Sequence, residues 1–236
     1  MRAAHALPAV SAVLLLALPA LAQGERENPT GSRIGRAKAA SVPDRAALSD
    51  IDKARITTDA FADCSVTRDP RKAAVYRDLH YDDPKARQVL NDIVSSDCLR
   101  DATLRMPGDL LRGSIFKAFY RREVKPSDRS FQEKAFDFRG YVSSPEAPEA
   151  QRYLIMMDFA DCVVRADAGT ARGFMLAEPG SSAEKTALAA LQPQLGPCFP
   201  AGVQVTLNKS IVSAILAEAL YREATGARTT EAEASH

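Results

Sequence analysis

One four-residue string occurs twice in this chain. Phe61-Ala62-Asp63-Cys64 returns as Phe159-Ala160-Asp161-Cys162, an offset of 98. Val66, Asp69 and Ala73 match Val164, Asp167 and Ala171 at the same offset, Cys98 matches Cys198 at 100, and Ala118, Tyr120 and Arg121 match Ala219, Tyr221 and Arg222 at 101. Short loop insertions account for the drift, because loops tolerate them. Such a chain is expected to fold as two like units. Four cysteines allow three pairings, and a unit that closes on itself selects Cys64–Cys98 and Cys162–Cys198. Each bridge would close a loop of about 35 residues, for which loop entropy gives roughly 3–4 kcal/mol. Zinc is the rival use of four thiols. No Cys-x-x-Cys spacing and no histidine pattern supports it, so neither metal nor cofactor is expected.

Disulfides need an oxidising compartment, and the first residues provide for export. Arg2 precedes an apolar run from Ala6 to Leu18, and Ala20-Leu21-Ala22 places small residues at a cleavage site. This reads as a signal peptide over residues 1–22. The run is shorter than the ~20 residues of a spanning helix, and Pro19 interrupts it. With no later apolar span, a soluble periplasmic or secreted protein with no membrane span after cleavage is expected. Lys and Arg total 31 against 30 Asp and Glu. Without Arg2 they balance, which argues against nucleic acid as a partner.

The rest of the chain divides into a flexible leader (23–50), a first helical repeat (51–123), a link (124–148), a second helical repeat (149–225) and a disordered tail (226–236). Helices are expected over Ile56–Arg68, after Asp69-Pro70, after Asp83-Pro84, from Pro107, over Glu149–Arg165, after Asp167, from Ser181 and after Asn208. Asp, Asn and Ser serve as N-caps, and Pro suits a first helical position. Ser181 and Glu184 have capping-box spacing. Pro193 is expected to end or kink its helix. Thr103–Met106 and the alternating Val203, Val205 and Leu207 read as short extended pieces. In the link, Ala135, Phe136, Phe138, Tyr141 and Val142 read as a packed or strand-forming stretch. The fold class is therefore all-α, two similar disulfide-stapled multi-helix repeats, with room for one short two-stranded β ribbon.

Residues with chemistry to offer are few. His80 sits between predicted helices. It has the makings of a general base oriented by Asp82 or Asp83, but no nucleophile stands near it in sequence, so a turn position beside helix-capping aspartates is the simpler reading. Ser182-Ala183-Glu184-Lys185 has the Ser-x-x-Lys spacing of penicillin-binding proteins and β-lactamases, without their other motifs; helix capping accounts for the same residues. Asp59 with Asp63, and Asp158 with Asp161, share helix faces, as a glycosidase or a calcium site would use them and as any solvated face does. Tyr120-Arg121 and Tyr221-Arg222 close each repeat. Twin binding spots are one reading. Tyrosines at the core edge, with arginines favouring a helix C-terminus, are the other.

Leu110-Leu111-Arg112-Gly113 with Ala118-Phe119-Tyr120, and Ala217-Glu218-Ala219-Leu220-Tyr221, resemble a group of exported alphaproteobacterial proteins with duplicated, cysteine-paired helical units. The similarity covers about residues 56–225, and Ser213-Ala214 replaces Arg-Gly in the second copy. The resemblance implies no reaction. The functional expectation is a non-enzymatic envelope protein that binds a protein, peptide or cell-wall partner, presenting an exposed apolar patch. The alternatives are an envelope glycan hydrolase using Asp or Glu, which requires a pocket with two carboxylates of divergent acidity, and a carrier with a large apolar cavity.

Overall fold

Helix starts follow the capping residues. In the computed structural model, which describes residues 38–94, 96–99, 105–125, 135–200, 202 and 206–234, eight α-helices are seen. Ser49 accepts from the Asp52 amide and opens α1 (Asp50–Arg68), six residues before the expected start. Asp69 accepts from the Lys72 amide ahead of Pro70 and opens α2 (Pro70–Asp78). Then come α3 (Ala86–Ile93) and α4 (Gly108–Glu123). Pro148 heads α5 (Pro148–Ala166), Asp167 caps α6 (Ala168–Leu176) and Ser181 caps α7 (Ser182–Leu195). Asn208 accepts from the Ile211 amide at the start of α8 (Lys209–Ala234). Cys64 is bonded to Cys98 and Cys162 to Cys198. α1 and α5 each have 19 residues and α2 and α6 each have 9, whereas α3 and α7 have 8 and 14, and α4 and α8 have 16 and 26.

The two closing helices hold the halves together. α4 packs on α8 more extensively than any other pair, with α1 against α4 and α5 against α8. A Cβ built on Gly113 would lie 2.3 Å from the Ala214 Cβ, well inside van der Waals contact. The crossing therefore depends on glycine at 113, because any side chain there would push the helices apart. Phe61, Phe116, Phe119, Phe138, Phe159 and Phe174, all no more than 2% exposed, share one hydrophobic cluster around it. Apolar burial of this kind stabilises by roughly 25 cal/mol per Å².

Several expectations change. No strand forms among the described residues. One isolated bridge pairs Ala40 with Leu99, and Ala40, inside the span read as a leader, is buried and donates its N–H to the Cys98 carbonyl at 2.8 Å. The link packs as expected, through buried Phe138 and Val142, but as a 3-10 turn (Phe138–Tyr141). α3 begins at Ala86 rather than at Pro84, because Asp83 first closes a turn by accepting from the Lys85 amide at 2.8 Å. Pro193 lies inside α7, two residues from its end, where few i→i−4 bonds remain for it to break. The span read as a tail continues α8 to Ala234, as its Ala and Glu content favours. Residues 1–22, 101–104 and 203–205, on which the signal peptide and most of the two extended pieces fall, lie outside the described residues.

Candidate functional site

His80 is exposed after α2, with Nδ1 2.9 Å from Ser143 Oγ. Neither aspartate orients it. Asp82 accepts from the amides of Ser143 (2.6 Å) and Ser144 (2.9 Å). Burial opposes its charge, but those N–H groups hold its carboxyl below the usual range. Asp83 is committed to its turn. His80, Asp82 and Ser143 therefore tie the α2–α3 loop to the link. Ser143 was not legible as a partner, being 63 positions away.

Of the paired aspartates Asp158 alone is exposed, and the other three turn to protein partners. Asp59 accepts from Ser114 Oγ (2.8 Å) and from Lys117 Nζ (2.7 Å), and Asp63 from Arg121 (3.0 Å), so both look onto α4. Asp161 accepts from the Phe136 amide and from Arg165. Burial, then Asp161, raises the pKa of Asp158; burial, then Asp161, pushes Glu223 up to about 9. Neither Asp158 nor Glu223 lines any of the three cavities below. Ser182 and Lys185 are exposed on α7. Ser181 Oγ accepts from the Glu184 amide, while the buried Glu184 carboxylate takes the Gly180 amide (2.8 Å) and pairs with Arg55 and Lys209. Capping and a buried ion cluster thus use Ser181 and Glu184, and Ser182 and Lys185 stay at the surface.

Tyr120 and Tyr221 are both buried in the core. Tyr221 donates to Glu123, and Arg77 reaches both Tyr221 and Glu123 at 3.3 Å. Arg222 does not serve a helix C-terminus, because α8 continues past it. It is 4% exposed, with Nε 2.9 Å from Glu218. Glu218 also receives Arg112 through two bonds of 2.7 Å, and Tyr153 at 2.9 Å. The rings of Tyr76, Tyr81, Phe116 and Tyr153 surround the Arg112 guanidinium at 5.0–5.9 Å. Burial would neutralise Glu218, yet Arg112 and Arg222 outweigh it and hold the carboxyl at about 2.

Two cavities flank the α4–α8 crossing. One, of about 230 Å³, is walled by α1, α4 and α8 and includes Asp59, Ser114, Lys117 and Ser213; the other, of about 280 Å³, is walled by α5, α4 and α8 and includes Met156, Met157, Ile211 and Ile215. Their linings correspond. Ala54, Arg55, Thr58 and Asp59 stand 98 positions before Arg152, Tyr153, Met156 and Met157. Leu110, Gly113, Ser114 and Lys117 stand 101 before Ile211, Ala214, Ile215 and Glu218. Ser210 and Ser213 stand 101 after Asp109 and Arg112. Equivalent positions thus build two mostly apolar cavities that differ in detail: the first, the polar one, has Asp59, Ser114 and Lys117 where the second, the apolar one, has Met157, Ile215 and Glu218. A shallower third, of about 590 Å³, adjoins the apolar cavity through Tyr81, Asp109 and Arg112.

The arrangement limits the chemistry. In the polar cavity the sole carboxylate, Asp59, is bonded on both oxygens. In the apolar cavity Asp109 accepts from Tyr81, and Glu218 is held ionised by two guanidiniums, the opposite of a general acid. Among the described residues no group of three His, Cys, Asp or Glu has metal-binding geometry. Ser114-Ile115-Phe116-Lys117 repeats the Ser-x-x-Lys spacing and went unread; its signal was the one-turn spacing on an apolar helix face. Compared with known protein families, curated proteins and solved structures, the chain matches none.

Proposed function

We propose that this is an exported, non-enzymatic binding protein of the cell envelope, periplasmic or secreted, that anchors a partner protein or peptide by an apolar side chain. The apolar cavity carries this reading. Leu110, Met156, Met157, Ile211 and Ile215 line it, and its charged floor of Arg112 and Glu218 is already mutually satisfied. At about 280 Å³ it falls just below the 300–1,000 Å³ of small-molecule sites, which suits one large side chain better than a lipid tail or a sugar chain. Methionines adapt to varied partners. A flat apolar patch is not the means: among the described residues the exposed large apolar side chains are Val42, Ile51, Val75 and Val94, well apart in sequence. Two disulfides, and no helix long and apolar enough to cross a membrane among the described residues, support the location. Similarity to exported alphaproteobacterial proteins is part of the same proposal.

The test uses peptides selected by display on the oxidised protein, with methionine methyl groups labelled for NMR. Bound peptides are expected to shift the Met156 and Met157 methyls and to leave Met175, which lines none of the three cavities, unmoved. Peptides that bind without moving either methyl would remove the basis of the reading. Release of product from cell-wall glycan would favour the hydrolase instead.

A further inference from the structure

The polar cavity has an unequal supply of hydrogen-bonding groups. An ammonium has three N–H donors. Lys117, with its side chain 3% exposed, spends one on Asp59 and makes no other hydrogen bond among the described residues. Ser213 is 8% exposed, lines the cavity and has no hydrogen-bond partner among the described residues. Arg105 lines the mouth with no ion pair among the described residues, and Ser210 stands there in the first turn of α8, where helix N–H groups carry partial positive charge. The one carboxylate is already used: Asp59 is taken on both oxygens. The lining thus sets three cationic side chains, Arg55, Arg105 and Lys117, against one carboxylate, Asp59. A ligand group that accepts only and carries negative charge complements it. Apart from Thr58 and Ser114, the rest of the wall is apolar.

We propose that this cavity binds a small carboxylate with an apolar body. Lys117, Ser213 and Arg105 receive the carboxylate, and Ile51, Met106 and Leu110 cover the body. At about 230 Å³ it has room for a branched aliphatic acid or for the last residue of a peptide with a free C-terminus. The equivalent place in the apolar cavity lacks this chemistry, because Glu218 replaces Lys117, Met157 replaces Asp59 and Ile215 replaces Ser114. The two cavities therefore took different ligands, and this inference does not rest on the peptide reading of the other one.

The experiment titrates the oxidised full chain with 4-methylpentanoate, and separately with an acetylated peptide ending in leucine, following backbone amides by NMR. Saturable shifts are expected at Gly113, Ser213 and Ala214, with the Met156 and Met157 methyls unmoved. 4-Methylpentanamide and the C-terminally amidated peptide should give none. Arg105→Ala and Ser213→Ala should each weaken binding about threefold, with the native spectrum otherwise kept; neither disturbs the Lys117–Asp59 pair. Binding of the free acid identifies a small-molecule site, and binding of the peptide alone identifies a chain terminus; both uphold the proposal. No saturable shift with either carboxylate, equal binding of the amides, or indifference to both substitutions would overturn it. That failure leaves the apolar cavity, read by its own methyl groups, untouched.

Discussion

Glu218→Gln puts the central ion cluster to the test. The substitution keeps the shape of the side chain and removes its charge, leaving Arg112 and Arg222, each 4% exposed, without a buried counter-ion. Removing one partner of a buried ion pair costs about 3–5 kcal/mol. Proton linkage provides a second route to the magnitude. Glu218 has an ordinary value of 4.5 and is held at about 2 in the folded chain, where it is fully buried. The difference corresponds to about 3 kcal/mol at neutral pH. Because the folded value is the depressed one, this stability is complete above about pH 5 and is lost as pH falls toward 2. For a chain of this size each kcal/mol moves Tm by about 2–4 °C, so Glu218→Gln should melt at least about 6 °C below wild type at pH 7. The gap should narrow towards pH 2. Calorimetry at pH 7, 4 and 2.5 reads both effects. A loss under about 1 kcal/mol at pH 7, or a gap that does not depend on pH, would refute the argument that this carboxylate is charged and needed. The Arg112→Met/Glu218→Met double variant should lose less than the sum of its singles, because the pair leaves together.

Glu223 runs the other way. Its folded value is raised to about 9, burial first and Asp161 second, and one carboxylate oxygen has no partner among the described residues. Stability is therefore lost as pH rises from about 4.5 towards 9, and Glu223→Gln should stabilise the chain at pH 8 by about 1–3 kcal/mol; a less stable variant in urea melts at that pH would count against it. Gly113→Ala forces a Cβ into Ala214 and should cost about 1–3 kcal/mol by overpacking, measured by chemical denaturation, with amide shifts along both α4 and α8. Replacing Cys64 and Cys98 together by alanine should remove about 3–4 kcal/mol. Non-reducing peptide maps of wild type should show only Cys64–Cys98 and Cys162–Cys198 fragments, and a Cys64–Cys162 fragment would contradict the fold.

Local chemistry was legible where it is settled within a few residues. Asp69 before Pro70, Asp167, Ser181 and Asn208 each open a helix, because an N-cap needs only its own side chain and an amide two or three positions on. Reading failed where the partner is remote. Arg222 looked like a helix-end arginine until α8 continued past it, and Asp59 looked solvated until Lys117 arrived from 58 positions away. Pro193 looked like a break, but its place in the last turn made it harmless.

By itself the amino-acid order determined the all-helical class, most helix starts and which sulfurs meet, because capping and helical period are properties of short stretches and the recurring Phe-Ala-Asp-Cys string marks one cysteine of each pair. Only the tertiary structure decided that Gly113 meets Ala214, that Glu218 gathers two guanidiniums and a phenol, and that like positions on either side of that crossing enclose unlike cavities. In those contacts Gly113 and Ala214 are 101 positions apart, Arg112 and Glu218 106, and Tyr153 and Glu218 65. Their free energy comes from excluding water between packed helices, a quantity that exists only once both surfaces are in place.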